Sequence, residues 1–203
     1  MPLFLGVLST SLWGQSAWEL QKDQEGIQIY TRKVGDSKFK AYKAVTTIDV
    51  PVSNLLAVLK DPAHYDDWMP DTAVKLLSTS GDSLQIHYAL SYAPWPIRDR
   101  DGIYRMLFQR KADGEIQITV NGIPDYLPKE KKRVRIPYAQ GLWRFQPRED
   151  GKVDLNYEFH ADPGGSLPAW IVNKATVDMP FEIIKGLREQ SQLAAYYGKS
   201  YSF

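Results

Sequence analysis

The sequence predicts an α+β domain: a curved antiparallel sheet closed by one long C-terminal helix. Three observations predict it. Alternating segments joined by tight turns fill the middle of the chain, a helical period occupies 51–61, and a longer helical period runs over 166–198. The turns between the alternating segments are too short for crossovers, so neighbouring strands should be antiparallel.

The chain opens on MPLFLGVLSTSLWGQSA, where an apolar run from Leu3 to Leu8 leads into small and polar residues. This matches a secretory signal with its cleavage region, except that no Lys or Arg follows Met1. An export signal over 1–17 and a domain over 18–203 are therefore expected, with a periplasmic or secreted location. A structural N-terminal segment would instead leave the protein cytoplasmic. The apolar run is too short to span a bilayer and no other stretch approaches that length, so a soluble domain is expected.

Residues 18–22 read as a brief helix. In GIQIYTRKV, Ile27, Ile29 and Thr31 alternate with polar positions as in a half-buried strand, and a second strand over 39–48 follows the turn Gly35-Asp36-Ser37. Pro51 then opens an amphipathic helix with Val52, Leu55, Leu56 and Leu59 on one side. Asp61-Pro62 ends it and begins a short helix, PAHYDDWM, which stops before Pro70. Leu84, Ile86, Tyr88, Leu90 and Tyr92 form the cleanest alternation, which assigns them to one sheet face. Further strands are expected at 102–111, 115–123, 135–146 and 153–161, with turns at Ala112-Asp113-Gly114 and Asp150-Gly151. The final helix has Ser166 as cap, Pro168 in its first turn and Gly198 at its end. Ile171, Ala175, Met179, Ile183 and Leu187 lie near one face of it, and Pro180, lacking an N–H, should loosen the preceding turn.

Composition narrows the function. A chain of 203 residues, 43% hydrophobic, supports one well-buried core. The 25 basic residues nearly cancel the 24 acidic ones, so no global field draws nucleic acid, and any electrostatic docking must be local. With 0 cysteines, disulfides, thiolate zinc sites and cysteine nucleophiles are excluded. His64, His87 and His160 are far apart in the chain and lack metal-ligand spacing. There is no G-x-S-x-G elbow and no phosphate-cradling glycine loop, and Gly164-Gly165-Ser166 reads as a turn and cap. No metal, cofactor or catalytic residue is expected.

Three strings, HYDDWMPDT, PWPIRDRDGIY and DPGGSLPAWIVN, occur in an order and spacing that resembles the steroidogenic-acute-regulatory-related lipid transfer (START) family across roughly 18–197. The first is similar to a short helix ending in Trp and Pro. The second is similar to a proline-containing loop leading into an Arg-Asp pair and an aromatic strand, here Arg100-Asp101. The third is similar to the glycine turn and Leu-Pro that begin the closing helix. The resemblance implies a helix-grip fold around a hydrophobic tunnel, a single bound lipid and no catalysis.

For such a tunnel the expected lining is Tyr88, Leu90 and Tyr92 on one strand, with Tyr104 and Met106 on the next. Trp143, Phe145, Tyr157 and Phe159 continue it, and Met179, Ile183 and Leu187 come from the helix. Each of these could equally belong to a filled core. One of Arg98, Asp99, Arg100 and Asp101 could hold a lipid hydroxyl or headgroup, with Arg98 counted among the site residues, whereas Arg100 and Asp101 are expected to pair with each other, because a charge beside apolar space needs a partner. His87, on the opposite strand phase from Tyr88, is expected to face away from the ligand. Trp95, between two prolines, is a candidate lid or membrane wedge, and PKEKKRVR at 128–135 could settle on anionic headgroups. The expected partners are thus a lipid and, transiently, a membrane, with oligomeric state and lipid identity left open. Two alternatives use the same architecture: a polyketide cyclase or aromatase using Tyr88, Tyr104 or Arg98, and a lipid-gated interaction module.

Overall fold

The computed structural model describes residues 16–203, so all but Ser16 and Ala17 of the expected export signal lie outside the described residues. The first described element is a strand, β1 (Glu19–Gln24), where a brief helix was expected. ELQKDQ has no apolar alternation of its own. It becomes a strand by pairing with β2 (Ile27–Arg32) across Glu25-Gly26, both at positive φ, the geometry a tight hairpin demands.

The chain continues through β3 (Ala41–Ile48), α1 (Val52–Leu59) and a 3-10 segment at Pro62–Asp67. Then come β4 (Thr72–Ser80), β5 (Leu84–Ser91), β6 (Arg100–Arg110) and β7 (Ile116–Gly122). The strand expected over 135–146 is divided by Ile136-Pro137 into a two-residue β8 (Val134–Arg135) and β9 (Tyr138–Pro147). β10 (Val153–Asp162) and α2 (Ala169–Gln190) complete the domain.

The strands form one open sheet in the order β1-β2-β3-β10-β9-β7-β6-β5-β4, antiparallel throughout, with β8 added parallel to the start of β6. The sheet does not close on itself, and its concave face takes α2.

Two features of α2 differ from expectation. Ser166 does not cap it: the N-cap is Pro168, whose carbonyl accepts the Ile171 N–H at 3.1 Å. The helix also stops at Gln190. There the buried Asn54 side chain donates to the Ser191 carbonyl at 3.0 Å, and Gln192 and Leu193 turn to tighter i→i+3 bonding. The second half of α2 is anchored, with Pro180, Phe181, Ile183, Ile184 and Leu187 all buried. It approaches so closely that a Cβ at Gly186 would strike the Trp68 carbonyl. Before Thr176, by contrast, no side chain of α2 is fully buried.

The solid core sits under that anchored half. Ile48, Leu55, Leu56, Phe108, Ile116, Phe145, Leu155 and Ile184 are each at most 1% exposed there. Each Å² of apolar surface removed from water there contributes roughly 25 cal/mol to folding. The other end, where β3 begins and β10 ends, is left partly hollow.

Candidate functional site

Between the concave sheet and the first half of α2 lies a cavity of about 410 Å³. Its floor is an aromatic ladder set by strand register. Tyr157 on β10 faces Trp143 on β9, and the two rings stack at 3.6 Å between centroids. Phe159 faces Tyr42 on β3, which meets Tyr157 edge-on at 5.5 Å. The roof is Ile171, Val172, Ala175, Met179 and Ile183 of α2. His87, Ala89 and Ser91 of β5, with Arg100, Tyr104 and Met106 of β6, form a side wall. The mouth lies among Ile97, Ile136, Pro163, Leu167 and Lys40.

Of the residues expected to line a tunnel, Tyr104, Met106, Trp143, Tyr157, Phe159, Met179 and Ile183 are on this wall. Phe145 and Leu187 are not, because both are 0% exposed within the solid core, Phe145 stacked behind Trp143 at 6.0 Å. The expected phase of β5 is reversed. Tyr88 and Leu90 point to the outer face of the sheet, and Tyr92 lies beyond the strand end and is exposed. Tyr88 accepts a hydrogen bond there from Arg133 Nη1 at 2.7 Å and donates to Asp101 at 3.2 Å. His87, expected to face away, is on the cavity wall with the small Ala89 and Ser91. A wall that must leave space is built from small or polar side chains, so the bulkier alternation belongs to the other face.

The charges are also redistributed. Arg98 is exposed and outside the cavity wall, and its contribution is a carbonyl that accepts from Arg100 Nη1. Asp101 does not pair with Arg100, because adjacent strand residues point to opposite faces. Asp101 instead binds Arg135 through two hydrogen bonds, 2.8 and 3.1 Å, with both side chains almost wholly buried. Arg135 also donates to the carbonyls of Pro124, Leu127 and Pro128, so this one guanidinium holds the basic loop against the outer face. Arg100 faces the cavity.

Burial sets the protonation of the site. It raises the hydroxyls of Tyr42, Tyr104 and Tyr157 well above the ordinary tyrosine value, so all three are neutral phenols. Burial, reinforced by the nearby Lys60 charge, pushes the His87 imidazole down to about 4. His87 is therefore neutral at physiological pH, with Nε2 at 3.0 Å from Gln85 Oε1 and its ring edge-on to Tyr65.

Trp95 is 93% exposed beside the wall residue Ile97, and Trp170 is 71% exposed beside Ile171. Two indoles thus flank the mouth. The basic loop joins them, since the Val134 N–H donates to the Asp99 carbonyl at 3.0 Å and Gly164 packs closely on Val134 and Pro137. Trp170, Tyr42 and Ala89 were not among the expected site residues, and Arg100 was expected in an ion pair with Asp101. Tyr42 was within reach, since it shares the inner phase of its strand with Ala44 and Ile48, both buried.

An open antiparallel sheet gripping one long helix over an apolar cavity defines a helix-grip domain. The chain belongs to the family described as polyketide cyclase / dehydrase and lipid transport, whose model matches residues 48–187, and it is a START domain. It is 32% identical over 197 residues to an uncharacterized protein of Pseudomonas aeruginosa, covering 94% of this chain and 97% of that one. Bovine (Bos taurus) phosphatidylcholine transfer protein is 27% identical over 169 residues, covering 79% of this chain and 77% of its own. The crystal structure of a STAR-related lipid transfer protein fragment from Xanthomonas axonopodis matches with a TM-score of 0.82 at 39% identity, covering 88% of this chain and 100% of that one. Human STARD10 matches with a TM-score of 0.77 at 22% identity, covering 89% and 75%, which is a likeness of fold.

Proposed function

We propose that this protein binds one lipid in the cavity beneath α2 and carries it between membranes without chemically changing it. The observation that carries this reading is an apolar space of about 410 Å³ roofed by the half of α2 that has no fully buried side chain before Thr176. Roughly 0.8 kcal/mol per buried methylene gives about 10 kcal/mol of gross drive for a dozen methylenes, which ordering and desolvation partly offset. Relatives named for lipid and phosphatidylcholine transfer support the same reading. Of the proton donors or anchors a cyclase would use, Tyr88 and Arg98 are off the cavity wall, and burial makes the Tyr104 phenol a weaker acid, so the cyclase alternative gains nothing from them.

Release needs a docking surface, and the mouth supplies one. Trp95 and Trp170 have the amphipathic rings that sit at a bilayer interface. Lys129, Lys131 and Lys132 in the adjoining loop can each add about 1 kcal/mol near an anionic leaflet. With an export signal over 1–17, the membranes served would be those facing the periplasm or exterior.

The test is transfer of a fluorescent sterol or phospholipid between vesicles. Wild type should extract and exchange the probe, and Trp95→Ala should slow exchange more than it lowers the melting temperature. Equal loss of both would remove the lid role from Trp95, and no extraction of any lipid would remove the carrier reading.

A further inference from the structure

The cavity wall is not electrically neutral. Among the described residues that line it there are two cations, Lys40 and Arg100, and no Asp or Glu. Lys40 stands at the rim, with Glu19 at 4.0 Å. Arg100 is deeper, 9% exposed, on the β6 position that pairs with Ser91, another wall residue. Its Nη1 donates to the Arg98 carbonyl, and its Nε is buried without a partner. Asp101 is committed to Arg135 on the opposite face. The remaining charges felt at Arg100 are Arg98, which opposes it, and Asp99, whose carboxylate accepts the Ala93 N–H at 3.0 Å. No carboxylate forms an ion pair with Arg100 among the described residues.

A guanidinium keeps its charge in any protein environment, and a buried charge without a counter-charge is costly. Its retention on the wall of an apolar cavity is explained if the guest brings the counter-charge.

We infer that the ligand is an amphiphile with an anionic head, a carboxylate or phosphate monoester, seated on the Arg100 guanidinium with its apolar part along the Trp143–Tyr157 floor. This rests on the carrier reading and names the class of lipid carried. The planar fork of Arg100 matches either oxyanion in bidentate fashion. Lys40 at the rim adds attraction during entry.

The experiment compares four probes on the purified full chain by calorimetric titration: myristate, 1-myristoyl lysophosphatidate, tetradecanol and dimyristoyl phosphatidylcholine. Myristate or lysophosphatidate should bind at least roughly tenfold tighter than tetradecanol, the size of one charge-assisted contact, and the stronger of the two identifies carboxylate or phosphate. Arg100→Gln should bring the ratio of anionic-probe to tetradecanol affinity to about one, and Arg100→Lys should keep part of the preference. If Arg100→Gln does not fold, the wild-type comparison still decides. Wild-type affinity for tetradecanol equal to that for both anionic probes, or tighter binding of the zwitterionic diacyl lipid than of either, overturns the inference while the carrier reading stands. Failure of all four to bind overturns this inference, and the carrier reading falls with it only if sterol and phospholipid transfer between vesicles also fails.

Discussion

Arg100 and Asp101 are sequence neighbours that a strand sends to opposite faces, and their surroundings make opposite demands. Burial alone would raise the Asp101 carboxyl, but the Arg135 hydrogen bonds and charge, helped by Tyr88 and Arg133, outweigh it and hold it below the usual range. Replacing Asp101 by Asn leaves Arg135 buried without a counter-charge, which should cost about 3–5 kcal/mol, read as a lower urea midpoint. Because the folded pKa lies below the unfolded value of about 3.9, the pair's contribution is complete above that pH and fades as pH falls through the folded value. Asp101→Asn should therefore flatten stability below about pH 4. His87 acts in a different window. Its pKa falls from about 6.5 unfolded to about 4 folded, so the unfolded chain takes up the proton first and stability drops as pH falls between those values, by up to about 3 kcal/mol. His87→Gln should remove that slope. A wild-type stability curve flat from pH 6.5 to 4 would mean that the imidazole is not held neutral.

At the scale of the element, β5 teaches the most. Its bulky alternation, Leu84 through Leu90, lies on the outer face, partly covered by the basic loop, while Ala89 and Gly102 pair across the inner face of β5 and β6. Alternation identifies a strand but assigns its larger side chains to a core, and a cavity inverts that rule because its wall must stay thin. Strand phase does not separate Arg98 from Arg100, which are two residues apart; Arg98 lies before β6 begins and is exposed, whereas Arg100, the first residue of the strand, reaches the cavity. What could be read was the order of elements, the hairpins and the start of α2 near Pro168, each carried by local turn chemistry or helical period. What could not was β1, which exists through pairing with β2, and the end of α2, which is set by the distant Asn54. The inverted phase is testable. Ala89→Phe should fill the cavity and abolish lipid binding while the melting temperature holds or rises, whereas Leu90→Ala on the outer face should leave affinity within about twofold. Loss of binding in Leu90→Ala alone would restore the original phase. Gly186 makes the complementary point: Gly186→Ala must push α2 from the Trp68 carbonyl, and a loss of at least about 1–3 kcal/mol is expected from overpacking.

Over the whole molecule, these elements divide the domain into an anchored end and an opening end, and Pro180 marks the boundary. Lacking an N–H, it cannot donate to the Thr176 carbonyl, so the helix hydrogen-bond ladder is interrupted within the cavity roof, between Met179 and Ile183. C-terminal to it, Phe181, Ile184 and Leu187 tie the helix to the solid core. On the N-terminal side the roof rests on a hollow, so its attachment depends on what fills that hollow. Local opening draws on regions with few buried apolar contacts, and the first two turns of α2 fit that description. Amide hydrogen exchange should therefore split the helix: residues 169–177 of the empty protein should exchange well before 181–190. Bound lipid should slow the first group by roughly the factor set by its concentration over its dissociation constant, since it binds the closed state alone. The second group should respond only as far as global stability rises. Uniform protection along α2 in the empty protein would mean that the helix moves as one rod, and the gate would then have to lie in the loops that carry Trp95 and Lys131.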